Sequence, residues 1–220
     1  PGSCLLTGLP IGAAARTTWE AGLTHARAQG LPASLIVFDV DGFREHAEAL
    51  GLERADSFLR EVAKRLRSAL SDAAYLGRVG GDSFAVLLPG VTVEDALGVS
   101  EQTRAAVTRR ELRLGRGAAR REVVCSLSAG IAGLDRDGET LDQLLAQSHA
   151  ALWRAKTLGG DRTSLPVAER KQLKTTYYEQ GQLERLKRLA ARVEIKESVL
   201  LREALEDLLL KYKSAPPRPV

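Results

Sequence analysis

Tyr75-Leu76-Gly77-Arg78-Val79-Gly80-Gly81-Asp82-Ser83-Phe84-Ala85-Val86-Leu87-Leu88 is the stretch from which the rest of the chain is read. Two short apolar runs, residues 74–79 and 84–88, flank Gly80-Gly81-Asp82, and paired glycines supply the positive φ that a tight hairpin turn needs. Upstream, residues 34–39 are apolar and β-branched enough for a buried strand. Between that strand and the hairpin, Ala55, Phe58, Leu59, Val62, Leu66 and Leu70 fall on one face of a long helix. Downstream, Thr92 with Asp95 three residues on opens a helix through Ala96, Val99, Thr103 and Val107. Residues 123–131 alternate as a strand, and Thr140-x-x-Gln143 is a capping box for a helix that ends near Gly159-Gly160. A first helix over residues 12–29 carries Ala15, Trp19, Leu23 and Ala26 at helical spacing and stops at Gly30-Leu31-Pro32. The order βαββαβ with flanking helices predicts an α+β fold. An antiparallel sheet with helices on one face then closes a core in about 100 residues.

The chain has 220 residues, more than one ordinary domain and enough for about 150 plus a smaller module. With 44% apolar and 27% charged residues, it is neither globally disordered nor a fibrous repeat. Its two cysteines, Cys4 and Cys125, have no zinc or disulfide-framework spacing, which points to a reducing, cytoplasmic setting. No apolar run approaches the roughly 18 residues of a membrane span. Residues 1–3, Pro-Gly-Ser, read as an expression scar, and the absence of methionine predicts a fragment of a longer protein. Charge is unevenly placed: residues 1–166 hold 20 basic and 20 acidic side chains, whereas residues 167–220 hold 12 and 8 and so account for the whole +4.

In the βαββαβ order the first strand ends at Asp39 and the hairpin turns at Gly80, Gly81 and Asp82. Neighbouring strands place the two carboxylates at one end of the sheet, with the backbone of Val40 to Arg44 turning beside them. Such an oxygen-rich corner suits Mg²⁺ and a nucleotide triphosphate, and Lys156 adds a point charge for phosphate. Spacing alone leaves a plainer alternative open, because Gly-Gly is an ordinary turn and Asp often ends strands.

Together with Leu6-Thr7-Gly8-Leu9-Pro10, the residues Asp39-Val40-Asp41-Gly42-Phe43-Arg44, Gly51, Asp56, Arg78-Val79-Gly80-Gly81-Asp82-Ser83-Phe84, Ser128-x-Gly130 and Ala151-Leu152-Trp153-Arg154-Ala155-Lys156 closely resemble a GGDEF domain over residues 4–165. Active members of that family are diguanylate cyclases, in which two domains meet face to face, each holding GTP with Mg²⁺, and form cyclic di-GMP. The resemblance implies metal binding by Asp39, Asp82 and the Val40 carbonyl, and nucleotide binding by Gly80, Gly81, Asp56, Arg44 and Lys156. It also marks departures. The signature glutamate is Ser83, the guanine-reading asparagine is Ala47, a phosphate-binding arginine is Gly160, and the inhibitory Arg-x-x-Asp site falls on Ser71 and Ala74. A hydroxyl cannot replace an anion that holds metal, so these losses imply a degenerate domain without catalytic residues.

After Pro166 the pattern changes. Residues 172–178 have strand character; Leu183, Leu186, Leu189 and Val193 mark one helix; and Val199, Leu200, Ala204, Leu205 and Leu208 mark a second, with Ser198 near its start. A unit of about 45 residues cannot close a core alone, so a homodimer is expected. Lys174-Thr175-Thr176-Tyr177-Tyr178, Leu183-Glu184-Arg185-Leu186 and residues 196–205 resemble a ribbon-helix-helix domain of the CopG, Arc and MetJ type over residues 170–213, followed by a flexible tail, 214–220. That family pairs strands from two chains into a ribbon that enters the DNA major groove, while the second helix offers its N-terminal amides to phosphate. The resemblance implies DNA contacts by Leu173, Lys174, Thr175, Tyr177 and Ser198, although a one-residue slip of register exchanges the two strand faces. The expected protein is a non-catalytic regulator in cyclic di-GMP related signal transduction, dimerised by a DNA-binding module. An active cyclase dimerised by the same module, or a scaffold that docks only proteins, are the alternatives.

Overall fold

The computed structural model describes residues 2–109, 111–114, 121–166, 177–193 and 197–212. The chain divides into two compact units, Pro1–Glu169 and Arg170–Val220.

In the first unit, β1 (Ala33–Val40) is buried at every one of its 8 positions. A strand with no polar face must be covered on both sides, and it is. Ile36, Phe38 and Val40 pack into a core with Phe58, Val62 and Leu66 of α3 (Leu52–Ala69) and Val93, Ala96 and Val107 of α4 (Val93–Thr108). The alternate residues Leu35 and Val37 pack with Ala15, Trp19 and Leu23 of α1 (Ala13–Ala28) and Leu144 and Leu152 of α5 (Leu141–Thr157). Helices therefore lie on both faces of the sheet, not on one as the element order had implied. Phe38, Phe58 and Phe84 are fully buried, each adding about 2–3 kcal/mol of apolar burial.

The expected hairpin forms as β2 (Tyr75–Gly80) and β3 (Ser83–Pro89). With β6 (Leu127–Gly133) and β7 (Thr163–Ser164), they make a sheet of order β2-β3-β1-β6-β7. β1 is antiparallel to both β3 and β6, but β6 and β7 run parallel, so the sheet is not wholly antiparallel. A second correction concerns residues 123–131. They do not form one strand, because β5 (Arg121–Val123) leaves to pair with β4 (Leu112–Leu114) before β6 begins. Leu112 and Leu114 are buried, and Arg65 holds the base of this hairpin by donating to the Val107 and Glu111 carbonyls. The long helix is preceded by a short one, α2 (Phe43–Leu50), separated from α3 by Gly51 at φ 77.

Close approach explains one residue of the motif set. A Cβ on Gly130 would lie 2.0 Å from the Ser148 carbonyl oxygen and 2.3 Å from the Leu152 nitrogen. Only glycine lets α5 rest directly on β6, and that seating places Lys156 at the sheet end beside Asp39. Both expected capping arrangements are present: Thr92 accepts from the Asp95 amide at 3.1 Å, and Thr140 and Gln143 form a reciprocal box.

The second unit contains α6 (Gln180–Val193) and α7 (Glu197–Tyr212). Of the strand expected over residues 172–178, only Tyr177 and Tyr178 lie among the described residues, and they form no strand. A ribbon strand needs a ladder partner from a second chain, which a single chain does not supply. Leu173, Lys174, Thr175 and the tail 214–220 lie outside the described residues. Tyr177 is fully exposed and Ser198 is the second residue of α7.

Candidate functional site

Asp39 pairs across the sheet with Ser83 on one side and Ser128 on the other, one residue before β1 ends. Its side chain is buried, and both carboxylate oxygens have partners: Oδ1 accepts from Lys156 Nζ and Oδ2 from Ser83 Oγ. Sequence reasoning brought Asp39, Asp82 and Lys156 to one corner, and here they meet. It did not foresee that the serine at the glutamate position would bind Asp39 itself. Burial, and then the nearby Asp39 charge, push the Asp82 carboxyl above its usual range. Two carboxylates thus share a half-buried corner with one ammonium group, which pairs with Asp39 and lowers the charge felt by Asp82.

The turn itself has Gly81 at φ 52, a conformation that favours glycine. Arg78 steadies it, donating through Nε and Nη2 to the Gly81 carbonyl. The same guanidinium donates through Nη1 to Cys4 Sγ at 2.9 Å, and the Arg78 amide donates to the Pro10 carbonyl at 2.8 Å. The Leu6-Thr7-Gly8-Leu9-Pro10 segment therefore braces the signature turn from outside.

Asp41, within the Asp39–Arg44 motif, organises the floor of the site. Its carboxylate accepts from Ser126 and Ser128 hydroxyls at 2.7 and 2.6 Å and from the Asp161 amide at 3.0 Å, fixing the loop after α5. Arg104, which sequence reasoning missed, is buried and donates to the Leu127 carbonyl at 2.6 Å and to the Glu101 and Asp161 carboxylates. Burial pushes Glu101 up, but the Thr163 hydrogen bonds and Arg104 outweigh it and hold this carboxyl below its usual range. The serines at 126 and 128 were the available signal for Asp41. A helical Arg104 facing inward has no local signal at all.

Gly160 lies on this floor at φ 71, and a Cβ there would come within 3.2–3.3 Å of the Asp41 carboxylate. An arginine at this position is strained twice, by φ and by space. Arg44 and Asp56 are exposed on α2 and α3, and among the described residues neither hydrogen-bonds to Asp39, Asp82 or Lys156. Ala47 is half-buried on α2 with no polar side-chain atom, and Ser71 and Ala74 meet only through a backbone turn, the Ala74 amide donating to the Ser71 carbonyl at 3.0 Å.

Among the described residues, no three His, Cys, Asp or Glu side chains gather closely enough to hold a metal ion. Asp39 and Asp82 nevertheless bring two carboxylates together one residue before the end of β1, where Val40 is the last residue. Mg²⁺ is often held by one or two carboxylates with the rest of its shell from phosphate and water. The set fits a Mg²⁺ that arrives on a nucleotide and falls short of one bound alone. No helix among the described residues is long and apolar enough to cross a membrane.

The family model described as diguanylate cyclase, GGDEF domain, matches residues 5–162, and the ribbon-helix-helix domain model matches residues 171–213. The diguanylate cyclase DosC of Escherichia coli is 28% identical over 149 residues, 68% of this chain and 32% of that protein. The response regulator PleD of Caulobacter vibrioides is 29% identical over 135 residues, 61% of this chain and 29% of that protein. The chain spans about a third of the length of these curated relatives. Among solved structures, the GGDEF domain of TpbB (YfiN) from Pseudomonas aeruginosa superposes with TM-score 0.70 at 28% identity, covering 75% of this chain and 94% of that one. The active GGEEF domain of a Vibrio cholerae diguanylate cyclase gives TM-score 0.62 at 27% identity, covering 70% and 97%.

Proposed function

Because the chain belongs to the GGDEF domain family and carries a ribbon-helix-helix domain after it, we propose that it is a non-catalytic regulator. In this reading its nucleotide-site domain is paired into a homodimer, and presented to DNA, by the second module. Joining two GTP molecules requires a ribose 3′-hydroxyl to lose its proton and attack an α-phosphate in line. Mg²⁺ carried by the nucleotide would neutralise phosphate charge and acidify that hydroxyl. Asp39, Asp82 and the Val40 carbonyl are the groups that would hold it. Lys156 would exchange Asp39 for phosphate, Gly80 and Gly81 would let the nucleotide approach the backbone, and Asp56 and Arg44 would reach its outer parts.

One observation carries the non-catalytic reading. The residue at the signature glutamate is a hydroxyl that donates to Asp39, so it adds no anion where metal must be stabilised. Ala47 offers guanine no hydrogen bond, and Gly160 offers phosphate no cation. Retained guanine-nucleotide binding without turnover fits this set of groups.

The test is chromatographic. Full chain at high GTP and Mg²⁺ should leave cyclic di-GMP at background, and Ser83→Glu alone should recover little, because base and phosphate contacts stay absent. Turnover by the unmodified chain, abolished by Asp82→Ala, would overturn the reading in favour of a cyclase. The DNA half is tested separately. Binding should weaken with Lys174→Ala and fall steeply with salt through counterion release, whereas no retardation of any duplex at low salt would favour protein docking.

A further inference from the structure

We propose that α6 carries a phosphate-binding stripe, Arg185, Arg188 and Arg192, that grips the backbone of duplex DNA; this rests on the DNA-binding reading above. The three residues lie 3, 4 and 7 apart on one helix, and at about 100° per residue they fall within roughly 60° of one another. All three are exposed. Their side chains line a shallow groove together with Leu189. At the same 100° per residue, the stripe lies on the side of α6 opposite the apolar face formed by Leu183, Leu186 and Ala190, with Leu189 between the two, so a second copy covering that face would leave the stripe open to solvent. Glu184 is the one acidic residue of α6; its carboxylate stands 3.8 Å from Arg188 with both side chains mostly exposed. An exposed pair of this kind holds an arginine only weakly.

Charge and spacing favour duplex DNA over an acidic protein segment. The module holds the whole +4 excess of the chain. From Arg185 to Arg192 the helix rises about 10 Å, and a DNA strand presents a phosphate about every 3.4 Å along its axis, so a regular row of cations faces a regular row of about three anions. Guanidinium groups suit this role because their fork of donors matches phosphate oxygens. A similar exposed row on α3, Arg60, Lys64 and Arg67, continues into Glu53 and Asp56 on the same face. That row is charge-mixed and serves as the control.

The experiment follows binding of the full chain to a fluorescent 30-base-pair duplex by anisotropy as salt rises from 50 to 200 mM. Six arginines per dimer, each releasing about 0.9 counterions, predict that Arg185→Gln/Arg188→Gln/Arg192→Gln flattens the log-affinity slope by about 5. Arg192→Gln alone should flatten it by about 2. Arg60→Gln/Lys64→Gln/Arg67→Gln, which removes the same charge elsewhere, should leave the slope unchanged. Circular dichroism and sedimentation confirm fold and assembly for each variant. An unchanged slope in the α6 variants, while Lys174→Ala still weakens binding, overturns the stripe and leaves the DNA reading standing. Equal flattening by the α3 control also overturns it, since net charge then suffices. No binding by the unmodified chain at 50 mM salt overturns both.

Discussion

The two units bury their apolar residues in opposite ways. In Pro1–Glu169, the strand β1 is enclosed along its whole length by helices of the same chain, and Ile36, Val37 and Phe38 are wholly inaccessible. In Arg170–Val220, Leu201, Leu205 and Leu208 of α7 are 38%, 52% and 51% exposed, and Leu183 and Leu189 of α6 are 44% and 38% exposed. At spacings of four and seven residues, the three α7 leucines fall on one side of their helix. A large apolar stripe left uncovered on a small unit marks an interaction surface. The difference teaches where each unit's apolar surface is covered: the first by its own sheet and helices, whereas the second leaves a stripe uncovered that, in the proposed reading, a second copy would cover.

That contrast can be broken most sharply at the stripe. Removing the burial of Leu205 and Leu208 should cost about 1.5 kcal/mol per leucine. Symmetry doubles this, so the four leucines of a dimer sum to about 6 kcal/mol, or roughly 10⁴ in dissociation constant. Leu205→Asp/Leu208→Asp should therefore sediment as a monomer at concentrations where the unmodified chain is a dimer. A dimer that survives the double change would mean that the first unit, not the second, holds the copies together.

The converse test lies in the first unit. Gly130→Ala sets a methyl group 2.0 Å from the Ser148 carbonyl oxygen and 2.3 Å from the Leu152 nitrogen. Both are backbone atoms of α5, so no side chain can turn away, and the helix must lift from the sheet. The loss should be on the order of 4 kcal/mol, near the upper end for one substitution, and the thermal transition of the first unit should fall by many degrees. Dimerisation should persist. A variant that melts like the unmodified chain would show that α5 slides without cost, and the close seating of helix on strand would lose its meaning.

Legibility follows the same division. Elements with strong local patterns were readable: the hairpin from Gly80-Gly81, α4 from its Thr92 cap, and α5 from its Thr140 box. What failed depended on distant partners. Burial of β1 on both faces is decided by α1 and α5 packing opposite α3 and α4. The break in residues 123–131 comes from β4, and the two residues of β7 are too few to carry a period. At the site, Asp39, Asp82 and Lys156 were legible because strand ends and a helix end bring them to one place. Asp41 and Arg104 were not, since their roles consist entirely of contacts made across the fold. The second unit is the extreme case, because most of the strand expected over residues 172–178 lies outside the described residues.

The smallest expected effect concerns the brace on the signature turn. Burial pushes the Cys4 thiol up, but hydrogen bonds from the Thr7 side chain and backbone, from the Arg78 guanidinium and from the Leu6 backbone outweigh it and bring it down to about 7 from 9.0. The folded state thus binds the proton less tightly than the unfolded chain does. The thiolate's contribution is fully present above pH 9, shrinks as pH falls, and is gone once pH passes below about 7. A serine has no such titration, so Cys4→Ser should melt below the unmodified chain at pH 9 and approach it near pH 6, with a difference of only a few degrees because one side chain is involved. The direction is what matters. Arg78 holds the Gly81 carbonyl with the same guanidinium that meets Cys4, so the difference should appear in the transition of the first unit and leave dimerisation through the second unchanged. A gap between the two proteins that stays constant from pH 6 to 9 would mean that Cys4 acts only by its size, and the turn would then be braced by Pro10 and Arg78 without help from charge.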